Sequence, residues 1–231
     1  TIGSAVASWD GSAFSGCGAI TTLTLRTALV GAAFSGTSPF LSTYLSASAS
    51  KVQHLTLGGK VTSIGWRAFL RAAGLESVTM ESSVTSIGES AFLQDAVVGG
   101  SKLRSVTIPD SVVSIAYAAF FYCTALESLV IPDSVTTLGL HPSNPSQHVS
   151  KLCEGCTSLA SVVIGDGVAA LPKYAFKGCT SLRNVTIGSA VASWDGSAFS
   201  GCGAITTLTL RTALVGAAFS GTSPFLSTYL S

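Results

Sequence analysis

The sequence predicts a repeat solenoid, an elongated fold in which short units of chain stack on one another. Two observations support this prediction. Residues 1–46 recur without a change as residues 186–231, at an offset of 185 residues. Within that long period, a six-residue phrase with apolar residues at its first, fourth and sixth places recurs at a basic spacing of 23 residues. Regular repetition at such a spacing is typical of solenoids.

Each phrase predicts a short β-strand, because it is rich in β-branched residues and alternates over its last three places. Pro109 and Pro132 directly follow two phrases, and a residue without a main-chain N–H ends a strand. One unit is too small to bury its own apolar side chains, so neighbouring units must stack. We therefore expect one continuous solenoid over residues 1–231, with about eight rungs, each rung being one unit. The phrases begin at Ile20, Val52, Leu75, Leu103, Leu126, Leu159, Leu182 and Ile205.

Two other slots recur in the second half of each unit. One is an Ala-Phe pair, as at Ala68 and Phe69, and the other is a small residue three places before the next phrase. Each slot should stack on its equivalent in the next rung, about 4.8 Å away. On the side of the rung away from the strand we expect short strands, turns or short helices. The small-residue slot holds Cys17, Ala49, Ala72, Gly100, Cys123, Cys156, Cys179 and Cys202.

The sequence pattern of the units resembles the BspA-like, or Treponema pallidum-type, leucine-rich repeat. Residues 103–123 (LRSVTIPDSVVSIAYAAFFYC) and 159–179 (LASVVIGDGVAALPKYAFKGC) carry the resemblance most clearly. It implies a leucine-rich-repeat solenoid with one parallel β-sheet face. Members of that family are often surface-exposed proteins of bacteria and protists that are implicated in adhesion and recognition. The resemblance therefore implies an extracellular or cell-surface location.

Composition argues against several classes of function. The net charge is +1 and no basic run is present, so no nucleic-acid partner is expected. The longest uncharged stretch, residues 27–50, contains Pro39 and many Ser, Gly and Thr residues, so no membrane span is expected. No glycine-rich phosphate loop, G-x-S-x-G or H-E-x-x-H motif occurs. We expect neither an enzyme nor a cofactor.

Three insertions interrupt the 23-residue template, near residues 35–50, 94–101 and 140–150. All three should emerge on the side away from the strands. An exposed uncharged cluster in the first insertion predicts a self-association surface, because such clusters often mark protein–protein contacts. The alternative is a loop that folds back on its own rung. The candidate residues, including two from the repeated copy, are Phe40, Leu41, Tyr44, Leu45, Phe225 and Tyr229.

One group of residues has the composition of a metal site: His141, His148, Cys153 and Cys156. Four such ligands within 16 residues are compatible with zinc. Cys153, however, stands in the Phe slot and Cys156 in the small-residue slot, so both are expected to pack in the core and no metal is predicted. Cysteines of neighbouring rungs should lie within disulfide range. Because the same slot accepts Ala and Gly, a ladder of buried thiols is the favoured interpretation.

The fifth place of the phrase is expected to point outward from the sheet. A regular row of threonines there could order water, as in ice-binding solenoids, pack against a subunit or bind a ligand. Simple β-propensity, together with the sequence pattern of the family, is favoured over ice binding. Asn184 begins an N-x-T sequon and is a glycosylation candidate if the chain is secreted. The threonines are Thr24, Thr56, Thr79, Thr107, Thr186 and Thr209.

Two hypotheses about function follow. The first is a structural subunit of an extracellular fibre or surface assembly built from tandem repeats. Its partner is the protein itself, as covalent tandem copies, neighbouring chains or both. The second is an adhesion or recognition module whose strand face binds a surface protein or a glycan. Self-association separates them, because only the first hypothesis requires it.

Overall fold

A computed structural model describes residues 20–26, 52–94, 100–140 and 149–211, together with residue 1. The strands in these segments alternate between longer ones, most of four residues, and shorter ones of two. In chain order they are β1 (Thr22–Leu25), β2 (His54–Leu57), β3 (Ser63–Ile64), β4 (Ser77–Met80), β5 (Ser86–Ile87), β6 (Ser105–Thr107), β7 (Ser114–Ile115), β8 (Ser128–Ile131), β9 (Thr137–Leu138), β10 (Ser161–Ile164), β11 (Ala170–Leu171), β12 (Asn184–Ile187), β13 (Ser193–Trp194) and β14 (Thr207–Leu210).

The longer strands coincide with the eight phrases and form parallel sheets, so the predicted solenoid is confirmed. Their order is β1-β2-β4-β6 in one sheet and β14-β12-β10-β8 in the other. Strands pair without a shift in register, so that Leu55, for example, lies beside Val78. A main-chain hydrogen bond of 3.1 Å, from the N–H of Glu127 to the carbonyl of Arg104, links the two sheets. Equivalent apolar places therefore meet from rung to rung. They are buried in most rungs, whereas Val106 and Ile108 in the rung of β6 and Leu208 and Leu210 in β14 are only partly buried.

The shorter strands form a second parallel ladder. Their order is β3-β5-β7-β9 in one group and β11-β13 in the other. Each of these strands consists of a serine, threonine or alanine followed by an apolar residue that faces the core, such as Ile64 or Ile87. Short strands and turns, rather than helices, thus complete the rungs across the described segments. The single sheet face implied by the resemblance is accompanied by this narrower second ladder.

A tight turn that follows most of the shorter strands places a non-glycine residue in the left-handed region. Arg67, Ser90 and Ala118 have φ values of 54°, 55° and 54° and occupy the same slot in successive rungs. This conformation costs a residue with a side chain roughly 1–2 kcal/mol. Hydrogen bonds between rungs hold it, including Arg67 N–H to the Glu89 carbonyl at 2.9 Å and Ser90 N–H to the Tyr117 carbonyl at 2.9 Å. Lys151 and Tyr174 repeat it with φ values of 47° and 62°.

The Phe slot forms a column of stacked rings inside the solenoid. The ring centroids of Phe69 and Phe92 are 5.1 Å apart, and those of Phe92 and Phe120 are 5.5 Å apart, with interplanar angles of 8° and 3°. All three rings are almost completely buried. The column resumes with Phe176 stacked on Phe199 at 5.3 Å. Between the two parts lies Cys153, the residue at which the sequence departs from the Phe pattern.

We expect Phe92→Ala to lower the free energy of unfolding by about 3–5 kcal/mol, because it removes a buried ring and leaves a cavity between two others. The measurement is chemical denaturation followed by circular dichroism. Val113→Ala is the matched control, since Val113 is half exposed and surface truncations usually change stability by about 0.5 kcal/mol or less. Equal losses in the two variants would contradict the stacked-core description.

Candidate functional site

The outer face of the longer strands carries hydroxyl side chains in two rows. One row follows the register Thr24, Thr56, Thr79 and Thr107 through the first sheet. These four threonines are exposed or half buried, and the residues between them point into the core. In the second sheet the same row begins with valines, of which Val130 is 55% exposed. It ends with Thr186, which is half buried, and Thr209, which is exposed.

The second row lies two residues earlier in each strand and is also polar. His54 Nδ1 is 2.8 Å from the hydroxyl oxygen of Ser77 in the next rung. Asn184 opens β12, is exposed, and lies in register between Ser161 and Thr207. The sequon is therefore on the strand face, where a glycan on Asn184 would stand among the exposed hydroxyls.

Charged side chains border these rows and pair between rungs. Arg104 lies 3.1 Å from Glu127, with the two side chains 67% and 60% exposed. Gln53 donates a hydrogen bond of 2.9 Å to Glu76. Ion pairs this exposed contribute at most about 1 kcal/mol to stability. They shape the electrostatics of the face more than they hold the fold together.

Four cysteines of the small-residue slot lie in described segments, and all four are buried in the core as thiols: Cys123, Cys156, Cys179 and Cys202. Each donates a weak hydrogen bond to the carbonyl of the Phe slot in the preceding rung. Cys123 contacts the Phe92 carbonyl at 3.3 Å and Cys156 contacts the Phe120 carbonyl at 3.1 Å. Cys179 and Cys202 repeat the contact at 3.2 and 3.0 Å. The slot thus needs a small side chain, and a thiol there also satisfies a neighbouring carbonyl.

Burial raises the pKa of the Cys123 and Cys153 thiols well above their ordinary value, because the thiolate cannot be solvated there. Reactive thiols and thiolate metal ligands need the opposite shift. Cys153 and Cys156 have no exposed surface. Cys123, Cys153 and Cys156 are therefore core residues.

Other predicted site residues lie outside the described segments. They include His141 and His148, the histidines of the metal-like group. In the segments that are described, no three His, Cys, Asp or Glu side chains converge as metal ligands. The aromatic and leucine residues proposed for self-association also lie outside: Phe40, Leu41, Tyr44, Leu45, Phe225 and Tyr229.

One feature that the sequence interpretation missed is a group of lysines set against aromatic rings on the turn side. The ammonium groups of Lys173 and Lys177 lie 4.8 and 4.7 Å from the centre of the Tyr174 ring. The ammonium group of Lys151 lies 5.6 Å from the centre of the Phe121 ring, which belongs to the preceding rung. The only sequence signal is the spacing K-Y-x-x-K at residues 173–177, which acquires meaning once the rungs are stacked.

Parallel strands repeated in register, closed by a second short ladder, define a leucine-rich-repeat solenoid. The chain belongs to the family described as "BspA type Leucine rich repeat region", whose model matches six copies over residues 1–98, 93–142 and 148–226. The resemblance seen in the sequence is thereby confirmed. No helix in the described residues has the length and apolarity needed to cross a membrane.

Two solved structures illustrate what this chain is similar to. A leucine-rich repeat protein of T. pallidum is 26% identical, with a TM-score of 0.56, covering 68% of this chain and 70% of that chain. A leucine rich cell surface protein from Faecalibacterium prausnitzii A2-165 is 18% identical, with a TM-score of 0.31, covering 84% of each chain. The first similarity supports the solenoid fold. No curated protein matches the sequence significantly.

The burial of five thiols predicts their chemical behaviour. In the folded chain we expect a disulfide reagent such as Ellman's reagent to titrate at most one of the six cysteines, Cys17, which lies outside the described residues. All six should react once the protein is unfolded in denaturant. Fast reaction of two or more thiols under native conditions would show that the cysteine slot faces solvent.

A second prediction concerns alkaline pH. The raised pKa of Cys123 keeps this thiol protonated in the fold, while the unfolded thiol ionises above about pH 8.5. The unfolded state then binds fewer protons, so the free energy of unfolding must fall as pH rises above that value. Cys123→Ala should make the fall less steep, by up to about 1.4 kcal/mol per pH unit. Denaturation curves between pH 7 and 10 measure the slopes, and identical slopes would exclude a buried neutral Cys123.

Proposed function

We propose that this chain is a non-enzymatic structural subunit of an extracellular fibre or surface assembly built from tandem leucine-rich repeats. The observation that carries the proposal is a difference between two identical strands. In β1, Leu23 and Leu25 are 4% and 0% exposed. Their exact repeats in β14, Leu208 and Leu210, are only partly buried. The same apolar side chains are covered in one rung and incompletely covered in the other.

Each of these two strands has one neighbour among the described strands, and the two neighbours lie on opposite sides along the chain. β2 packs beside β1 and sets Leu55 and Leu57 against Leu23 and Leu25. β14 has β12 on one side and, among the described strands, no partner on the other. Because β14 repeats β1 residue for residue, a rung like that of β2 fits its open side. Continuation of the solenoid by another copy would complete the burial of Leu208 and Leu210.

A repeated arginine supports the same continuation. Arg26 pairs with Glu81 at 2.6 Å, two rungs further along. Gly58 in the intervening rung leaves the space that the Glu81 carboxylate occupies. Arg211 is the identical position in the second copy, and it faces Asp166 at 3.9 Å on the opposite side, two rungs earlier. In a tandem array one arginine would therefore meet carboxylates of both the preceding and the following period.

Self-association tests the proposal. We expect the sedimentation coefficient of the chain to rise with concentration, and Leu210→Lys to abolish the rise by placing a charge on the open apolar end. Thr209→Lys is the matched control: it adds the same charge to the same strand on the outward side, so association should persist. The measurement is sedimentation velocity of all three proteins. A chain that stays monomeric over the full concentration range would contradict the proposal.

The second candidate function is recognition of a surface protein or glycan on the strand face. The observation in its favour is the exposed Val130 in the middle of that face, beside the Arg104–Glu127 pair. Against it, the longer strands that the structure describes carry no Trp or Tyr, the residues that dominate most binding hot spots. Recognition needs no self-association, so the sedimentation experiment separates the two functions.

A further inference from the structure

The lysine–tyrosine cluster consists of Tyr122, Glu154, Lys173, Tyr174 and Lys177. It lies on the turn side of three successive rungs, away from the open end and from the outer strand face. Hydrogen bonds between rungs fix its parts, from Tyr122 N–H to the Glu154 carbonyl at 2.9 Å and from Gly155 N–H to the Lys177 carbonyl at 2.8 Å. The cluster is therefore held by the backbone of the solenoid.

The position of the Tyr122 ring depends on a neighbouring glycine, Gly155, which leaves room for the ring. Gly155 lies beneath it, and a Cβ on that glycine would come within 3.0 Å of the ring carbons. Gly155 also has a φ of 78°, which favours glycine at this place. Phe121 packs edge-on against Tyr122, with ring centroids 4.5 Å apart. The Tyr122 ring is thus braced and remains partly exposed.

The two lysines converge on a single ring. Their ammonium groups lie 4.8 and 4.7 Å from the Tyr174 centroid, where the negative face of the ring attracts them. Lys177 also donates a 3.1 Å hydrogen bond to Glu154, which raises the pKa of Lys177. Two like charges thereby share one ring, and an anion bound beside them would offset their repulsion.

The charges around the cluster leave its surface cationic. The cations are Lys151, Lys173 and Lys177, and the anions are Glu154 and Asp195. The Glu154 side chain is only 14% exposed, whereas that of Lys177 is 43% exposed, so the ammonium lies outermost. Asp195 accepts hydrogen bonds from the N–H and hydroxyl of Ser197.

We infer that the lysine–tyrosine cluster binds an acidic saccharide, with Lys173 and Lys177 paired to its carboxylate or sulfate groups and a sugar ring lying on Tyr122. Lysine ammonium groups act as point charges that suit such anions without demanding one bidentate geometry. The flat, braced ring offers its face to the C–H groups of a sugar. This site goes beyond the proposed structural function and does not depend on self-association.

Calorimetric titration of the intact chain with short heparin fragments and with hyaluronan fragments tests the inference. The first probe carries sulfates and the second only carboxylates, so the pair shows which anion the lysines prefer. We expect Lys173→Ala/Lys177→Ala to weaken binding of the preferred probe by about tenfold or more, as expected for lost hydrogen bonds to charged groups. Thermal unfolding of the variant establishes that it is folded.

The matched control is Lys60→Ala/Lys102→Ala, which removes two exposed lysines elsewhere and gives the same net charge. It should change affinity by less than about twofold, since its ammonium groups lie outside the cluster. Equal weakening in both double variants, or no binding of either probe, would overturn the site. Tyr122→Ala should also weaken binding. If it does not, and a polyglutamate peptide binds as well as the saccharides, the assignment to a saccharide is wrong.

Discussion

Stacking of each rung on the next in strict register is the constraint on which the rest of this structure depends. A unit of 23 residues cannot bury its own Leu, Val and Phe side chains, so its neighbours must cover them. Parallel hydrogen bonds between rungs set the register, and every slot then meets its own equivalent. The ring column around Phe92, the buried thiols and the left-handed turn at Arg67 all follow from this one arrangement.

The same register also determines which side chains lie together on the surface. Outward places align into rows, so a residue type that is ordinary in one unit becomes a continuous strip across the sheet. Residues that are distant in sequence, such as Tyr122 and Lys177, become neighbours on the turn side. Among the described strands β14 has a partner on one side only, and stacking of a further unit in the same register would supply the other. A structural array and a ligand site on its flank are therefore compatible functions of one fold.

How far the sequence could predict this structure depends on what each feature requires. Spacing alone predicted the strands, the buried places and the small-residue slot, because each repeats in every unit. It could not decide between short strands and helices for the other half of the rung, since pairs such as Ser63-Ile64 are too short for periodicity to distinguish. The left-handed backbone conformation at Tyr174 could not be predicted, because the residue type at this place differs from unit to unit. The cluster around Lys177 depends on contacts between rungs, which no single unit encodes.

The central claim is that rungs continue in register from one 185-residue period into the next. Electron microscopy of the native material, with a power spectrum along the particle axis, tests it most directly. Seven rungs at about 4.8 Å predict an axial repeat near 34 Å, with chain density unbroken between periods. Discrete particles that lack this repeat would contradict the account.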